Sequence, residues 1–417
     1  MQYSRRNIDH SLDQLLGQLP AILLDGPKAV GKTTTAMQRA KTIKGLQKPA
    51  DRRRAEVDGS WLLSGEKPIL IDEWQKVPES WELVKDRVDQ DYSGGQFILT
   101  GSLPEKGTHS GAGRITSLRM RPLGFSERNL EKPQISFAQL LTGDAEISGE
   151  SKFTVQGYAE EITRSGFFNI RGLEGNALRV ALDGYIERII DTDMQDLGFS
   201  IRRPATLRSW LVSYAAATAT TASWEKIRDS ANSGSVEPPA KSTVIPYRDA
   251  LTRLRILDEL EAWLPTKNQF ARASAGSKHF LADPALAARA LNLNQKQLFS
   301  SGLESGQYDK PLLGRLFEAL ATLSIRSLAE SQFAKVMHFR DSKGFREIDM
   351  IIQRADGKVL AIETKLAETV DAKDLKHLNW LQHQIGGDLI DRVIIYSGKY
   401  AYRDDGVAVI PLSLIGP

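Results

Sequence analysis

The chain has 417 residues, with 55 Lys and Arg against 52 Asp and Glu, a formal net charge of +3 and no cysteine. That length accommodates two or three domains with their own cores. The missing cysteines exclude disulfide frameworks, thiolate metal sites and thiol nucleophiles, and so small a positive excess confines any nucleic-acid site to a local patch. No apolar run approaches membrane-spanning length, and the opening MQYSRRNIDHSLDQLL lacks the apolar core of a signal peptide. The expectation is a cytoplasmic protein with no membrane partner.

Ile8, Leu12, Leu15, Leu16 and Leu19 recur at helical spacing, which predicts an amphipathic helix packed ahead of the first strand. AILLD (21–25) is that strand, and GPKAVGKT (26–33) follows it directly, before a stretch able to form a helix. Strand, GxxxxGK[ST] and helix together make a P-loop. Its phosphate cradle is Gly26, Pro27, Lys28, Ala29, Val30 and Gly31, continued by Lys32, Thr33 and Thr34. Gly26 and Gly31 let backbone N–H groups turn inward, and the helix N-terminus adds its positive end. Lys32 is expected on the β- and γ-phosphates of ATP, and the Thr33 hydroxyl on Mg²⁺. The lack of a guanine-reading motif after the loop favours ATP.

RAEVDGS (54–60) reads as a short strand, so the P-loop strand and the next apolar strand are not expected to be neighbours. That next strand, KPILIDEW (67–74), ends in two acids. Asp72 is expected to hold Mg²⁺ through water, and Glu73 to orient or deprotonate the attacking water. QFILTGS (96–102) is a further strand, whose Thr100 or Ser102 is placed to sense the γ-phosphate. Arg114, Arg119 and Arg121 lie in GRITSLRMRP; Arg114 is the candidate finger reaching a neighbouring copy's phosphate, which a homo-oligomer would require. Residues 131–151 read as a connector.

From 152 to 300 the pattern is mainly helical: 206–219, a helix near 223–231, a Pro/Gly/Ser loop at 232–243, then a helix through Tyr247, Leu251 and Leu254 and a strand at 256–265. That order is winged-helix-like. Arg248, Arg253 and Arg255 on the third helix, with Lys241 near its start, suit a DNA groove, or a solvated face shared with Asp249.

Residues 311–330 carry Leu313, Leu316, Phe317, Leu320 and Leu323 at helical spacing. FREIDMIIQRADGKVLAIETKLAE (345–368) then predicts a hairpin turning at Asp356-Gly357. Alternation puts Glu363 and Lys365 on one face, with Asp349 on the partner strand. A helix with Leu375, Leu378, Leu381 and Ile385 and a strand at 391–398 complete the pattern. His377 and His383 are six apart, which is not the spacing of a helical metal pair.

The first third, in GPKAVGKT, ILIDEWQKVPE, FILTGS and GRITSLRMRPLGFSE, resembles AAA+-type (ASCE-like) P-loop ATPases. More narrowly, the chain resembles a prokaryotic family that pairs a small AAA-type ATPase with a C-terminal domain of unknown function. Lys28 and Ala29 depart from the Arg and Gln frequent in that family. The last quarter resembles the PD-(D/E)XK nuclease core. That resemblance implies that Asp349 and Glu363 hold Mg²⁺, that Lys365 positions water or stabilises charge, and that Glu318 is an upstream helical acid. The expected architecture is α/β: a P-loop parallel-sheet domain (1–150), a helical winged-helix-like middle (151–305) and a nuclease-like α/β domain (306–417). Two functions follow: an ATP-controlled enzyme cutting DNA, or a nucleotide-regulated protein whose inactive nuclease-like fold binds a protein or nucleic-acid partner.

Overall fold

The computed structural model describes residues 3–101, 111–199, 203–231, 238–265, 276–300, 310–341 and 343–417. It divides into two compact units: Met1–Arg121 with Arg253–Arg255, and Pro122–Thr252 with Ile256–Pro417. Among the described residues, no helix is long and apolar enough to cross a membrane.

The first unit is built on five strands: β1 (Ala21–Asp25), β2 (Thr42–Gly45), β3 (Ile69–Asp72), β4 (Phe97–Gly101) and β5 (Ile115–Arg119). They pair in the order β2-β3-β4-β1-β5, every neighbour parallel. Ala21, Leu23, Ile69, Ile71, Phe97 and Leu99 face a core with Trp74, Trp81, Val84 and Val88. The alternate residues Ile22, Leu24, Leu70 and Ile98 pack with Ile8, Leu12, Val30 and Ala36 on the other face. Burial on both faces is why these strands read as unbroken apolar runs.

The expected separation of β1 from β3 holds, but for another reason. β4 lies between them. Residues 54–57 belong to the helix Pro49–Val57, and Asp58 caps the 3₁₀ turn after it, so no strand forms at 54–60. Pro49 in the first turn and the Ala, Arg and Glu residues that follow favour the helix. Because the sheet is parallel, Asp25, Asp72 and Gly101 end on one edge, where ligands of open α/β sheets sit.

The second unit starts with helices, among them Val155–Arg164, Gly175–Arg188, Pro204–Ala216, Trp224–Asp229 and Lys241–Arg253. The strand expected at 256–265 is instead a run of isolated bridges, Leu257 to Leu281, Leu260 to Lys278 and Ala262 to His338. Its two halves pair with different partners, so no continuous ladder forms. What results is a helical middle.

The expected connector is structured too: β6 (Ile135–Ser136), the helix Phe137–Thr142 and β7 (Gly149–Glu150). β6 pairs with β14 (Ile415–Gly416). β7 joins β8 (Lys335–Arg340), β9 (Glu347–Gln353), β10 (Val359–Lys365), β11 (Leu389–Tyr396), β12 (Tyr400–Asp404) and β13 (Val407–Pro411) in a mixed seven-stranded sheet, order β7-β12-β13-β11-β10-β9-β8. The expected hairpin is β9–β10, antiparallel, with Gly357 in the left-handed region at φ 87°. The helices Lys310–Ser331 and Lys376–Ile385 flank it in sequence as expected.

Candidate functional site

At the edge formed by β1, β3 and β4, the glycine-containing loop after β1 and the acid of β3 meet. A Cβ on Gly26 would collide with the Met120 carbonyl oxygen, so only glycine lets the loop leave β1 along this path. Gly31 takes φ 102° and Ala29, one of the two departures from the family pattern, takes φ 63°. Lys32 is 8% exposed, and its Nζ donates to the carbonyls of Gly26 (2.8 Å) and Pro27 (2.9 Å). Burial pushes its ammonium down in pKa, opposed by Glu73, Asp25 and Asp72.

The Thr33 hydroxyl donates to Asp72 Oδ1 at 2.6 Å, and the Thr100 hydroxyl donates to the same oxygen. Gln47 Nε2 donates to Asp72 Oδ2 at 2.9 Å. Glu73 sits at φ 59°, with its N–H 3.3 Å from Thr100 Oγ1 and its carboxylate receiving Gln75 Nε2 at 2.7 Å. Lys32, Thr33, Asp72, Glu73 and Thr100 are therefore one constellation. Thr34 lies in the same helix, Lys32–Met37.

Sequence reasoning missed the groups that brace this loop from behind. Arg6 donates to the Val30 carbonyl (3.1 Å) and the Arg121 carbonyl (2.8 Å). Asp25, buried at the end of β1, receives Arg255 Nε at 2.6 Å. Neither contact leaves a local sequence signal, since the partners are 24 and 230 residues apart. Arg114 stands apart from the constellation on the surface, donating to Asp89 at 2.6 Å. Ser102 lies outside the described residues.

In the second unit Asp349, one of the two acids expected on the hairpin, meets Glu318 and Glu347 around a lysine. Lys278 is 1% exposed. Its Nζ lies 2.6 Å from Glu318 Oε1, 2.8 Å from Glu347 Oε1 and 2.9 Å from Asp349 Oδ1. Asp349 Oδ2 also accepts from the Thr364 N–H (2.9 Å) and hydroxyl (2.7 Å). Burial opposes the Asp349 charge, yet Lys278 and Thr364 hold its pKa below the usual carboxylate range. Burial would neutralise Lys278, but Asp349, Glu318 and Glu347 keep its ammonium well above the ordinary value.

Burial and the Asp349 charge push Glu318 up to about 8. The same two causes push Glu363 up to about 7. Glu363 is 6% exposed, and its Oε1 has no hydrogen-bond partner. His377 Nδ1 is 3.6 Å from that oxygen, too far for a hydrogen bond, and sits 2.8 Å from the Glu347 carbonyl oxygen. Lys365 faces Asp374 at 3.4 Å. Among the described residues, no three His, Asp or Glu side chains group so as to hold a metal ion.

On the third helix of the middle, Arg248 stacks over Trp224 with its guanidinium carbon 4.2 Å from the ring centre. Arg255 lies beyond that helix, which ends at Arg253, and pairs with Asp25. The expected row of four basic side chains is thereby broken up.

Residues 18–129 match the model of an AAA domain. Residues 158–297 and 313–415 match two domains of unknown function, DUF8612 and DUF4143. The chain thus carries an N-terminal P-loop ATPase domain of AAA type, followed by two domains whose models name no activity. Uncharacterized proteins of Mycobacterium tuberculosis and Mycobacterium bovis are each 22% identical to it over 427 residues, covering 100% of this chain and 85% of theirs. Among solved structures, the Walker-type ATPase of Pyrococcus abyssi is similar at a TM-score of 0.39, with 15% identity, over 69% of this chain and 96% of its own. The ORC2 protein of Aeropyrum pernix, solved in ADPNP–ADP complexes, gives a TM-score of 0.29 and 14% identity, over 76% of this chain and 95% of its own.

Proposed function

We propose that the chain is a Mg²⁺-dependent ATP hydrolase whose nucleotide state controls a C-terminal domain that holds a target, DNA or protein, without cutting it. The observation that carries the ATPase reading is the convergence of Thr33 and Thr100 on Asp72 Oδ1. It joins the phosphate loop, the acidic strand and the neighbouring strand through one carboxylate.

The donor set fits the cofactors. Thr33 and Asp72 offer adjacent hard oxygens of the kind Mg²⁺ prefers, and the glycine-lined loop leaves backbone N–H groups for phosphate. Bound Mg²⁺ would neutralise charge on the phosphoryl group in transfer. Lys32 exchanges its bonds to the Gly26 and Pro27 carbonyls for phosphate oxygens. Glu73, oriented by Gln75, holds the attacking water and takes its proton. Thr100 reads the presence of the terminal phosphate through its link to Asp72 and to the Glu73 N–H.

Lys32→Ala should abolish nucleotide binding. Glu73→Gln should keep binding and lose hydrolysis by about 10²- to 10⁴-fold, the usual range for a general base. Unchanged turnover in Glu73→Gln would remove that residue from the mechanism, and unchanged ATP binding in Lys32→Ala would overturn the site.

The non-cutting reading of the C-terminal domain is supported by Lys278 lying against Asp349 and Glu318. The cutting reading draws on Asp349, Glu363 and Lys365 occupying the hairpin as in the nuclease pattern. Incubation with Mg²⁺ or Mn²⁺ and supercoiled, linear or single-stranded DNA, with and without ATP, separates them. No nicking is expected; nicking that disappears in Lys365→Ala would make this an ATP-controlled nuclease.

A further inference from the structure

The acids on β9 and β10 make a donor set that the nuclease resemblance assigns to Mg²⁺, and that set does not fit Mg²⁺ here. We infer that Lys278 is a built-in counter-cation: its ammonium occupies the place a divalent cation would take, and removing its charge opens a divalent-cation site made of Asp349, Glu318, Glu347 and Glu363. This rests on the nuclease-like reading of the hairpin.

Three observations carry it. An ammonium has three protons, and Lys278 has three carboxylate partners at 2.6, 2.8 and 2.9 Å. These distances are those of charged N–H···O bonds, whereas Mg²⁺ holds oxygen at about 2.0–2.1 Å. The cage is sized for nitrogen.

The second observation is where the acids come from. Glu318 lies on the long helix Lys310–Ser331, on the side away from its main apolar stripe, where a charged side chain is ordinarily solvated. It is 9% exposed instead, because the segment carrying Lys278 covers it. That segment is placed by the bridge of Lys278 to Leu260, whose backbone bonds run both ways at 2.8 and 2.9 Å. The lysine is thus delivered to the acids by a built element.

The third is the leftover ligand. Glu363 is buried, its Oε1 has no hydrogen-bond partner, and it stands one step along the ladder from the Ile362–Met350 pair, beside Asp349. Lys278 satisfies three of the four acids and leaves this one over, as expected of a ligand set whose cation has been replaced by an ammonium with only three protons to donate. A divalent cation and the ammonium cannot share the cage, because like charges about 3 Å apart without solvent between them repel strongly.

The test uses the full-length, nucleotide-free protein as wild type, Lys278→Met and Lys278→Met with Asp349→Asn. Mn²⁺ binding is read by the loss of the free-ion EPR signal, and stability by thermal melting with and without Mn²⁺. Lys278→Met is expected to gain one Mn²⁺ site, at least tenfold tighter than any in wild type, and a Mn²⁺-dependent rise in melting temperature. The double variant should lose both. A folded Lys278→Met that binds no more Mn²⁺ than wild type overturns the inference.

If Lys278→Met does not fold, iron-directed hydroxyl-radical cleavage of the wild type decides. Backbone cuts within β9 or β10 would place a metal among these acids and overturn it. Cuts confined to the phosphate loop, with ATP added, would support it. DNA nicking by wild type sinks the non-cutting reading, whereas a metal-indifferent Lys278→Met in a protein that nicks nothing sinks only the role given to Lys278.

Discussion

At Lys278 a single substitution has a calculable cost. Removing one partner of a buried ion pair typically costs about 3–5 kcal/mol, because the charge left behind is unpaired. Lys278→Ala is expected to lose that much by urea denaturation at pH 8 and less at pH 5, where Glu318 and Glu363 take up protons. The wild type should itself titrate. Glu318 binds its proton up to about pH 8 in the folded state against about 4.5 for a glutamate free in water, so the native state holds more protons across that window. Stability therefore falls as pH rises from about 4.5 to 8. Lys278, Asp349 and Glu347 act on this carboxyl, and Lys278 stays charged throughout. Glu318→Gln should flatten the pH profile of melting temperature; an unchanged slope would mean Glu318 is ionised in the fold. The residues of the GPKAVGKT loop were legible because they are contiguous in the chain. Lys278 was not, since its partners Glu318 and Asp349 lie 40 and 71 residues away and a lone lysine carries no pattern.

Among the elements, strands buried on both faces were the clearest to read: β1, β3, β4 and the β9–β10 hairpin stand where apolar runs and the Asp356-Gly357 turn put them. Less was visible where an element is partly exposed or pairs piecemeal. β2 is no shorter than β3, but it lies at the edge of the sheet with Ile43 exposed. The run 256–265 divides its bridges between Leu281, Lys278 and His338, so its alternation never becomes a ladder. The apparent strand at 54–60 failed because its first four residues continue the helix begun at Pro49, in which Ala55 is buried and Val57 faces solvent. The exit from β1 makes a prediction at this scale. Gly26→Ala forces a Cβ onto the Met120 carbonyl, an overpacking of roughly 1–3 kcal/mol. It should lower the melting temperature and weaken ATP binding together, measured by calorimetry and nucleotide titration. Loss of ATP affinity with no change in melting would mean the loop shifts without strain.

At the scale of the whole molecule, sequence matches and compact folding divide the chain differently. Lys278 lies within the stretch 158–297 and its acids within 313–415. Trp263, which donates its backbone N–H to the His338 carbonyl, also joins the core beneath the mixed sheet. β7 and β6 pair with β12 and β14 from still earlier in the chain. A fragment of residues 306–417 should therefore fold poorly or melt well below a fragment of 122–417, as seen by circular dichroism. Equal melting would show that the earlier segments merely decorate the sheet. The lysine in that cluster has one more consequence. A metal exchanges with its surroundings, so a metal site reports ion supply and yields to chelators. A cation on a side chain has no dissociation constant. Chelation should silence ATP turnover in this chain and leave the carboxylate cluster untouched, so that the two halves of one polypeptide live under different ionic rules.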